Sequence, residues 1–519
     1  MLRRDFATWQ CGDRELSLAR PRVMGILNVT PDSFSDGGEH ADTASAVAHG
    51  LGLLDAGADI IDVGGESTRP GFTPVDPDEE AARVVPVVRE LLDAGALVSV
   101  DTRHPSVAEL CVRLGAHVLN DVTGFTDPAM VRIAAESECG VVVMHAGEVA
   151  EHPTRRSVLL DSDPRSREGA AEDVEPEVVE AADDDTPADK GDASSVRLDE
   201  VMRRSARGVT SPTVRLASGS NRRFTLPESA PIMRRIMGFL GDQARTLMRA
   251  GVAHDRICLD PGAGFGKMAD EDVVIQRACA QMASMGYPIM CAVSRKRFVG
   301  AISGVGAAAD RDAATIGAAL AAAEAGARIL RVHDVAGVTQ ALNAYWSIAH
   351  PGQSRAFVAL GSNVGDRVGY LARACALINE IPLTCVSAVS HAYESEPAYG
   401  IATPVANAVA EVRTELAPEV LLGHLMEVEQ ALGRTRPAGQ DGHGPRTIDC
   451  DLVFMEGERH AGDRLRLPHP GLVERDFVLV PMEDLVHDPA RYLRHAGIDV
   501  LPREERVGIV LADLGPIEW

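Results

Sequence analysis

Residues 97–120 read LVSVDTRHPSVAELCVRLGAHVLN: a β-branched run ending in a carboxylate, a stretch of helical length, and a second β-branched run ending in an amide. This is one βα unit followed by the next strand of a parallel sheet. Outward from it the alternation recurs until eight strand-like runs are counted. They end near Asn28 (VMGILN), Gly64 (DIIDVG), Asp101, Asn120, Met144 (VVVM), Asp260 (RICLD), Ser294 (IMCAVS) and Arg331 (RILR), and all but Met144 are polar or Gly. Eight units predict a closed (β/α)8 TIM barrel, an α/β fold whose active site lies at the C-terminal ends of its strands. Those polar ends are therefore candidates by position alone.

From Met144 to Asp260 the connection runs 116 residues, too long for one βα repeat. Residues 146–227 carry the acidic stretch EDVEPEVVEAADDDTPADKGD and then an Arg-rich stretch, with few large apolar side chains. Such a segment cannot offset its ordering entropy by burial, so it is expected to be a mostly disordered insertion on the catalytic face, either inert or serving as a lid or partner site. The barrel is expected over 1–346, and SIAHPGQS, 347–354, reads as a linker. Residues 355–519 read strand (356–360), helix (366–380), strands (384–394 and 404–414), helix (418–433) and strand (449–454). That order predicts an α+β ferredoxin-like domain.

Composition narrows the function. With 51 Lys and Arg against 76 Asp and Glu, the net charge of −25 opposes binding to a nucleic-acid backbone or an anionic membrane. Without a signal-like apolar run, and with nine scattered cysteines and no C-x-x-C pair, a cytoplasmic protein with reduced thiols is expected.

In the barrel, Asn28 offers an oxygen to a cation or a donor to a phosphate, Thr68 is followed by Arg69, a planar cation suited to phosphate, and Asp101, Asn120 and Asp260 suit the amino edge of a heterocycle. Lys296, Arg331 and His333 add fixed positive charge for an anionic leaving group. GAGFGK, 262–267, is not a phosphate loop, because Pro261 and Met268 break the G-x-x-x-x-G-K-[ST] pattern. The ordered motifs NVTPDSFSDGG, GGESTRPG, VDT, NDV, LDPGAGFGK, SRKRFVG and RVHDV closely resemble dihydropteroate synthase. The resemblance implies condensation of 6-hydroxymethyl-7,8-dihydropterin pyrophosphate with p-aminobenzoate. It implies that Asp101, Asn120, Asp260 and Lys296 hold the pterin, and that Asn28, Arg69, Arg331 and His333 hold pyrophosphate and its magnesium. Thr68 and Pro70 would border the aminobenzoate. Two departures are Met144-His145 running into the insertion, and Arg297 where many members have Ser.

In the second domain, GPRTIDCDLVF puts Asp449 and Asp451 on one face of a strand, a platform for magnesium beside a triphosphate. Arg434, Arg436 and Arg446 lie in the adjoining Gly- and Pro-rich loop, suited to close over phosphates. With VALGSNVGDR, NAVAEV, EVEQALGR and LPHPGLVERDFVLVPMEDL, this segment resembles 6-hydroxymethyl-7,8-dihydropterin pyrophosphokinase. The resemblance implies diphosphate transfer from ATP to the pterin alcohol. It assigns Asp449 and Asp451 to magnesium, Glu429 and His469 to nucleotide with Arg475 nearby, and Asn407 and Phe477 to pterin. His443, Val405 and Pro470 depart from the family pattern.

The combined expectation is a bifunctional folate-biosynthesis enzyme, a homodimer through its barrel, using ATP and Mg2+ in the second domain and Mg2+ in the first. Two rivals remain at this level: a barrel serving methyl transfer, against which GGESTRP and SRK argue, and a degenerate second domain kept for regulation or assembly.

Overall fold

The computed structural model describes residues 8–30, 39–66, 74–146, 231–399, 403–434, 446–461 and 465–519. A hairpin of β1 (Thr8–Cys11) and β2 (Arg14–Ser17) opens the chain, turning at Gly12 with φ +63°. Eight parallel strands follow: β3 (Arg22–Asn28), β4 (Ile60–Gly64), β5 (Val98–Asp101), β6 (Val118–Asp121), β7 (Gly140–Met144), β8 (Ile257–Asp260), β9 (Met290–Cys291) and β10 (Ile329–Val332). They pair in the order β8-β7-β6-β5-β4-β3-β10-β9, and a parallel bridge from Leu259 to Ile289 closes the ring. The strand ends lie close to the positions read from sequence; only β9 is much shorter, stopping at Cys291 rather than Ser294.

The helices form because their ends are specified. Pro77, Pro105 and Pro128 each occupy a first helical turn, where the missing N–H costs nothing. Asp76 and Asp127 cap the first and third of these by accepting from Asp78 N and Ala129 N. Helix Pro77–Asp93 then buries Val84, Val87, Val88 and Leu91 against the sheet, each worth roughly 1.5–3 kcal/mol in burial. Inward-facing Met24, Ile60, Val118, Val142 and Ile329 fill the barrel, and Trp9 of the β1–β2 hairpin plugs its N-terminal end, its indole N–H donating to Arg256 O at 2.9 Å.

Helix Val335–Ala349 leads into the second unit, and β11 begins at Ser354. Its strands are β11 (Ser354–Ser362), β12 (Thr384–Val389), β13 (Ala392–Ser395), β14 (Val405–Thr414), β15 (Asp449–Met455), β16 (His460–Ala461), β17 (Arg466–Leu467) and β18 (Val510–Gly515). The main sheet runs β15-β11-β14-β13-β18 with β12 also on β14, antiparallel at every junction. This is the ferredoxin-like order with one added edge strand. Helices Arg367–Asn379 and Pro418–Ala431 cover one face through Leu371, Ile378, Leu421 and Leu425. Asp476–Met482 and Pro489–His495 cover the other through Val478, Leu479 and Leu493. All nine cysteines are unpaired, and no described helix is long and apolar enough to cross a membrane.

Candidate active sites

Parallel register builds the barrel site. Asn28 sits opposite Gly64, Gly64 opposite Asp101, and Asp101 opposite Asn120, so one row of strand ends lines the mouth; Met144 opposite Asp260 continues it. Arg331 on β10 reaches across this row. Its Nε donates to Asp62 at 2.6 Å and its Nη2 to Asp101 at 2.7 Å. Burial alone would weaken the Arg331 cation, but the two carboxylates outweigh it and hold the proton. Burial, reinforced by Asp62 and opposed by Arg331, pushes the Asp101 carboxyl up to about 7. Asp62 also accepts from Asn120 Nδ2 at 3.2 Å. Asp62 was absent from the sequence-derived set, although its carboxylate between Ile61 and Val63 in a strand buried throughout is a cost only a partnered group survives.

Lys296 precedes helix Arg297–Ser303 and donates through Nζ to Ala263 O, with the ammonium 4.6 Å from the Phe265 ring. Burial lowers its pKa and Asp260 opposes that shift; Asp260 is itself raised by burial, with Lys296 opposing. The pair therefore shares a site where either charge alone would be costly. Lys296 packs over Gly264, φ +79°, where a Cβ would come within 3.1 Å of its Cδ. GAGFGK is structural: Lys267 Nζ donates to the carbonyls of His145, Gly262 and Phe265 at 2.8, 2.7 and 2.9 Å, tying this loop to the end of β7. His333 Nδ1 lies 2.8 Å from Ser294 Oγ, which accepts from His333 N at 3.1 Å. Arg297 is exposed. Thr68, Arg69 and Pro70 lie outside the described residues, as does the expected insertion beyond Ala146.

In the second unit, β15 aligns Asp449 and Asp451 on one face of the sheet, as alternation requires. Asp449 accepts from Arg434 and Arg446, and Asp451 accepts from Arg475 Nη1 at 3.3 Å. Burial, with Asp449 nearby, pushes Asp451 up to about 6. Glu429, from the helix beneath, accepts from Arg434 and from Cys450 N at 2.9 Å, so one carboxylate fixes both strand and guanidinium. Asn407 on β14 donates Nδ2 to Ser395 Oγ at 2.8 Å and Val405 O at 3.1 Å, leaving its Oδ1 as the group offered to a ligand. His469 Nδ1 accepts from Gly471 N, and burial followed by Arg475 lowers its pKa to about 4, so the ring is neutral. Asn407, Arg434, Arg446, Asp449, Asp451, His469, Arg475 and Phe477 line one cavity of about 240 Å³. Tyr399, which sequence reasoning missed, joins them and lies 5.2 Å below the Arg475 guanidinium. Arg436 and His443 lie outside the described residues.

Residues 24–186 and 192–333 match the family model of the pterin binding enzymes. The chain belongs to the pterin binding enzyme family. Residues 357–487 match 7,8-dihydro-6-hydroxymethylpterin-pyrophosphokinase. The dihydropteroate synthase of Neisseria meningitidis serogroup C is 33% identical over 341 residues, which cover 65% of this chain and 96% of that protein. That of Mycobacterium leprae is 34% identical over 348 residues, with the same coverage of 65% and 96%. A structure of Xanthomonas albilineans dihydropteroate synthase with 4-aminobenzoic acid aligns with TM-score 0.49 and 31% identity, covering 66% of this chain and 98% of that one. This pterin binding enzyme is thus a bifunctional transferase of folate biosynthesis, a dihydropteroate synthase followed by a pyrophosphokinase.

Proposed function

We propose that the second domain transfers diphosphate from ATP to 6-hydroxymethyl-7,8-dihydropterin, and that the barrel condenses the product with p-aminobenzoate, releasing pyrophosphate. The observation that carries the first step is the crowding of Asp449 and Asp451 beneath Arg434, Arg446 and Arg475. Two neighbouring carboxylates, one with a raised pKa, suit magnesium, which would offset their repulsion and neutralise phosphate charge when bound. Arg434 and Arg446 are then the groups that turn from Asp449 to triphosphate oxygens, while Glu429 keeps Arg434 in place and Asn407 Oδ1 accepts from the pterin edge. His469, neutral and beside the carboxylates, serves the nucleotide, and Phe477 flanks the pterin.

In the barrel, Asp101, Asn120, Asp260 and Lys296 take the pterin edge, each already oriented by a partner. Arg331, fixed on two sides, and His333, held by Ser294, face the departing pyrophosphate. Departure of pyrophosphate precedes attack by the aromatic amine on the pterin cation, so the protein's task is positioning and charge stabilisation. Asn28 contributes a single amide oxygen, which fits a magnesium ion arriving with pyrophosphate and keeping phosphate and water as its other ligands. Thr68, Arg69 and Pro70 complete this reading for phosphate and aminobenzoate. A homodimer through the barrel and a cytoplasmic location, where ATP is supplied, belong to the same reading.

The test supplies purified protein with ATP, Mg2+, the pterin alcohol and p-aminobenzoate, and follows AMP and dihydropteroate by chromatography. Both should form, and Asp449→Ala should abolish both, with added pterin pyrophosphate restoring dihydropteroate but not AMP. Conversion of added pterin pyrophosphate without AMP formation by the unaltered protein would instead mark the second domain as degenerate.

A further inference from the structure

The second domain meets the barrel at the end opposite the synthase site. Arg22 at the start of β3 donates to Glu458 in the turn after β15 and lies 3.5 Å from Asp59, just before β4. His460 bridges Glu419 through Nδ1 at 2.9 Å and Glu458 through Nε2 at 3.2 Å. Ser17 on β2 donates to Gly457 O, and Arg459 pairs with Glu15 at 3.7 Å. Arg22, Asp59 and the β1–β2 hairpin all belong to the barrel's N-terminal end, whereas Asn28, Asp101, Asp260 and Arg331 mark its mouth.

Asp59, Glu419 and His460 converge closely enough to hold a metal ion. Both imidazole nitrogens, however, are engaged by carboxylates, and Arg22 and Arg20 supply further positive charge, so the group is an ion network joining the domains. Its burial makes it a fixed contact: Arg22 is 2% exposed and Glu458 7%.

Each of the two strands that leave this network runs on to one of the candidate sites. β3 runs from Arg22 to Asn28, roughly 20 Å, and β15 with its turn runs back from Gly457 to Asp449, roughly 26 Å. Among the described residues, the barrel interior between them is filled by Met24, Ile60, Val118, Val142 and Ile329, with Trp9 packed at its closed end.

Resting on the two-step reading above, we infer that the kinase domain is docked on the closed end of the barrel, so that pterin pyrophosphate reaches the synthase site only by release into bulk solvent. Fusion then fixes the ratio of the two activities and does not hand over the intermediate.

Isotope dilution on the unaltered protein tests this. Labelled pterin alcohol, ATP, Mg2+ and p-aminobenzoate are supplied with an excess of unlabelled pterin pyrophosphate. Dihydropteroate should carry only the label fraction of the bulk pool, and its lag should equal that of a mixture of Asp449→Ala and Lys296→Ala proteins at the same concentration of working sites. Retention of label in the product, or a lag in the mixture that the unaltered protein lacks, would overturn the inference. Each half-reaction is first assayed alone on the unaltered protein; failure of either would count against the two-step reading itself and not against the route between sites.

Discussion

Asp62 shows how a carboxylate that orients its neighbours can hide in a strand. It is fully buried, pairs with Arg331 and receives Asn120, yet in the text it is one polar letter inside IIDV. The place of Asp101, Asn120 and Asp260 at strand ends was legible because the βα repeat is periodic in the sequence; Asp62 lies two residues short of such an end, and only the structure reveals that Arg331 crosses to it. Asp62→Asn keeps the shape and removes the charge that aims Arg331. Displacing a positioned group by about 1 Å costs on the order of 10²-fold in rate, and a loss of that size is expected in kcat/KM for added pterin pyrophosphate. ATP-dependent AMP formation should be unchanged in the same preparation. An equal fall in both activities would assign Asp62 to folding alone.

Among elements, β15 with the helix beneath it holds the carboxylates proposed for the kinase step, and the D-x-D alternation that puts Asp449 and Asp451 on one face was readable directly. Less readable was the tie that orients it. Glu429 is buried on helix Pro418–Ala431, and its carboxylate holds Cys450 N and Arg434 together. Glu429→Gln retains an acceptor for Cys450 N but loses the charge for Arg434. A charge-assisted hydrogen bond is worth about 1.5–3 kcal/mol, so kcat/KM for ATP should fall at least about tenfold while the melting temperature moves little. A change in melting alone, with kinetics intact, would count against this role. The edge of the same sheet departs from the sequence reading for a physical reason. One strand was expected over 384–394, but the chain breaks at Ser390, which pairs with Val409 through backbone N and side-chain Oγ. The break lets β12 and β13 each pair with a different part of the ten-residue β14, and frees the outer edge of β13 for β18. Pairing of β13 with a strand more than 100 residues later leaves no local trace in sequence.

For the whole molecule, the sequence separated two domains but could not place one on the other, because their contact joins residues as distant as Arg22 and Glu458. That contact carries a proton. Glu419 and Glu458, against the opposing pull of burial and of Arg22, raise the His460 pKa from its ordinary 6.5 to about 9. Arg20 and Asp59 also border the network and act on its carboxylates. Because the folded state binds this proton more tightly than the unfolded chain, the stabilisation is present in full below pH 6.5 and is lost as pH rises through about 9. At 1.36 kcal/mol per pKa unit the amount is roughly 3 kcal/mol. Thermal unfolding followed from pH 6 to pH 10 should therefore show a falling midpoint across that window, accompanied by faster proteolysis between the domains. In His460→Gln, which cannot bind the proton, the slope attributable to this window should disappear and the midpoint below pH 6.5 should be lower than that of the unaltered protein. A slope that persists in His460→Gln would place the titrating group elsewhere. Both half-reactions should survive in the variant at pH 7, since the network includes none of the residues proposed for either site and lies about a strand's length from each.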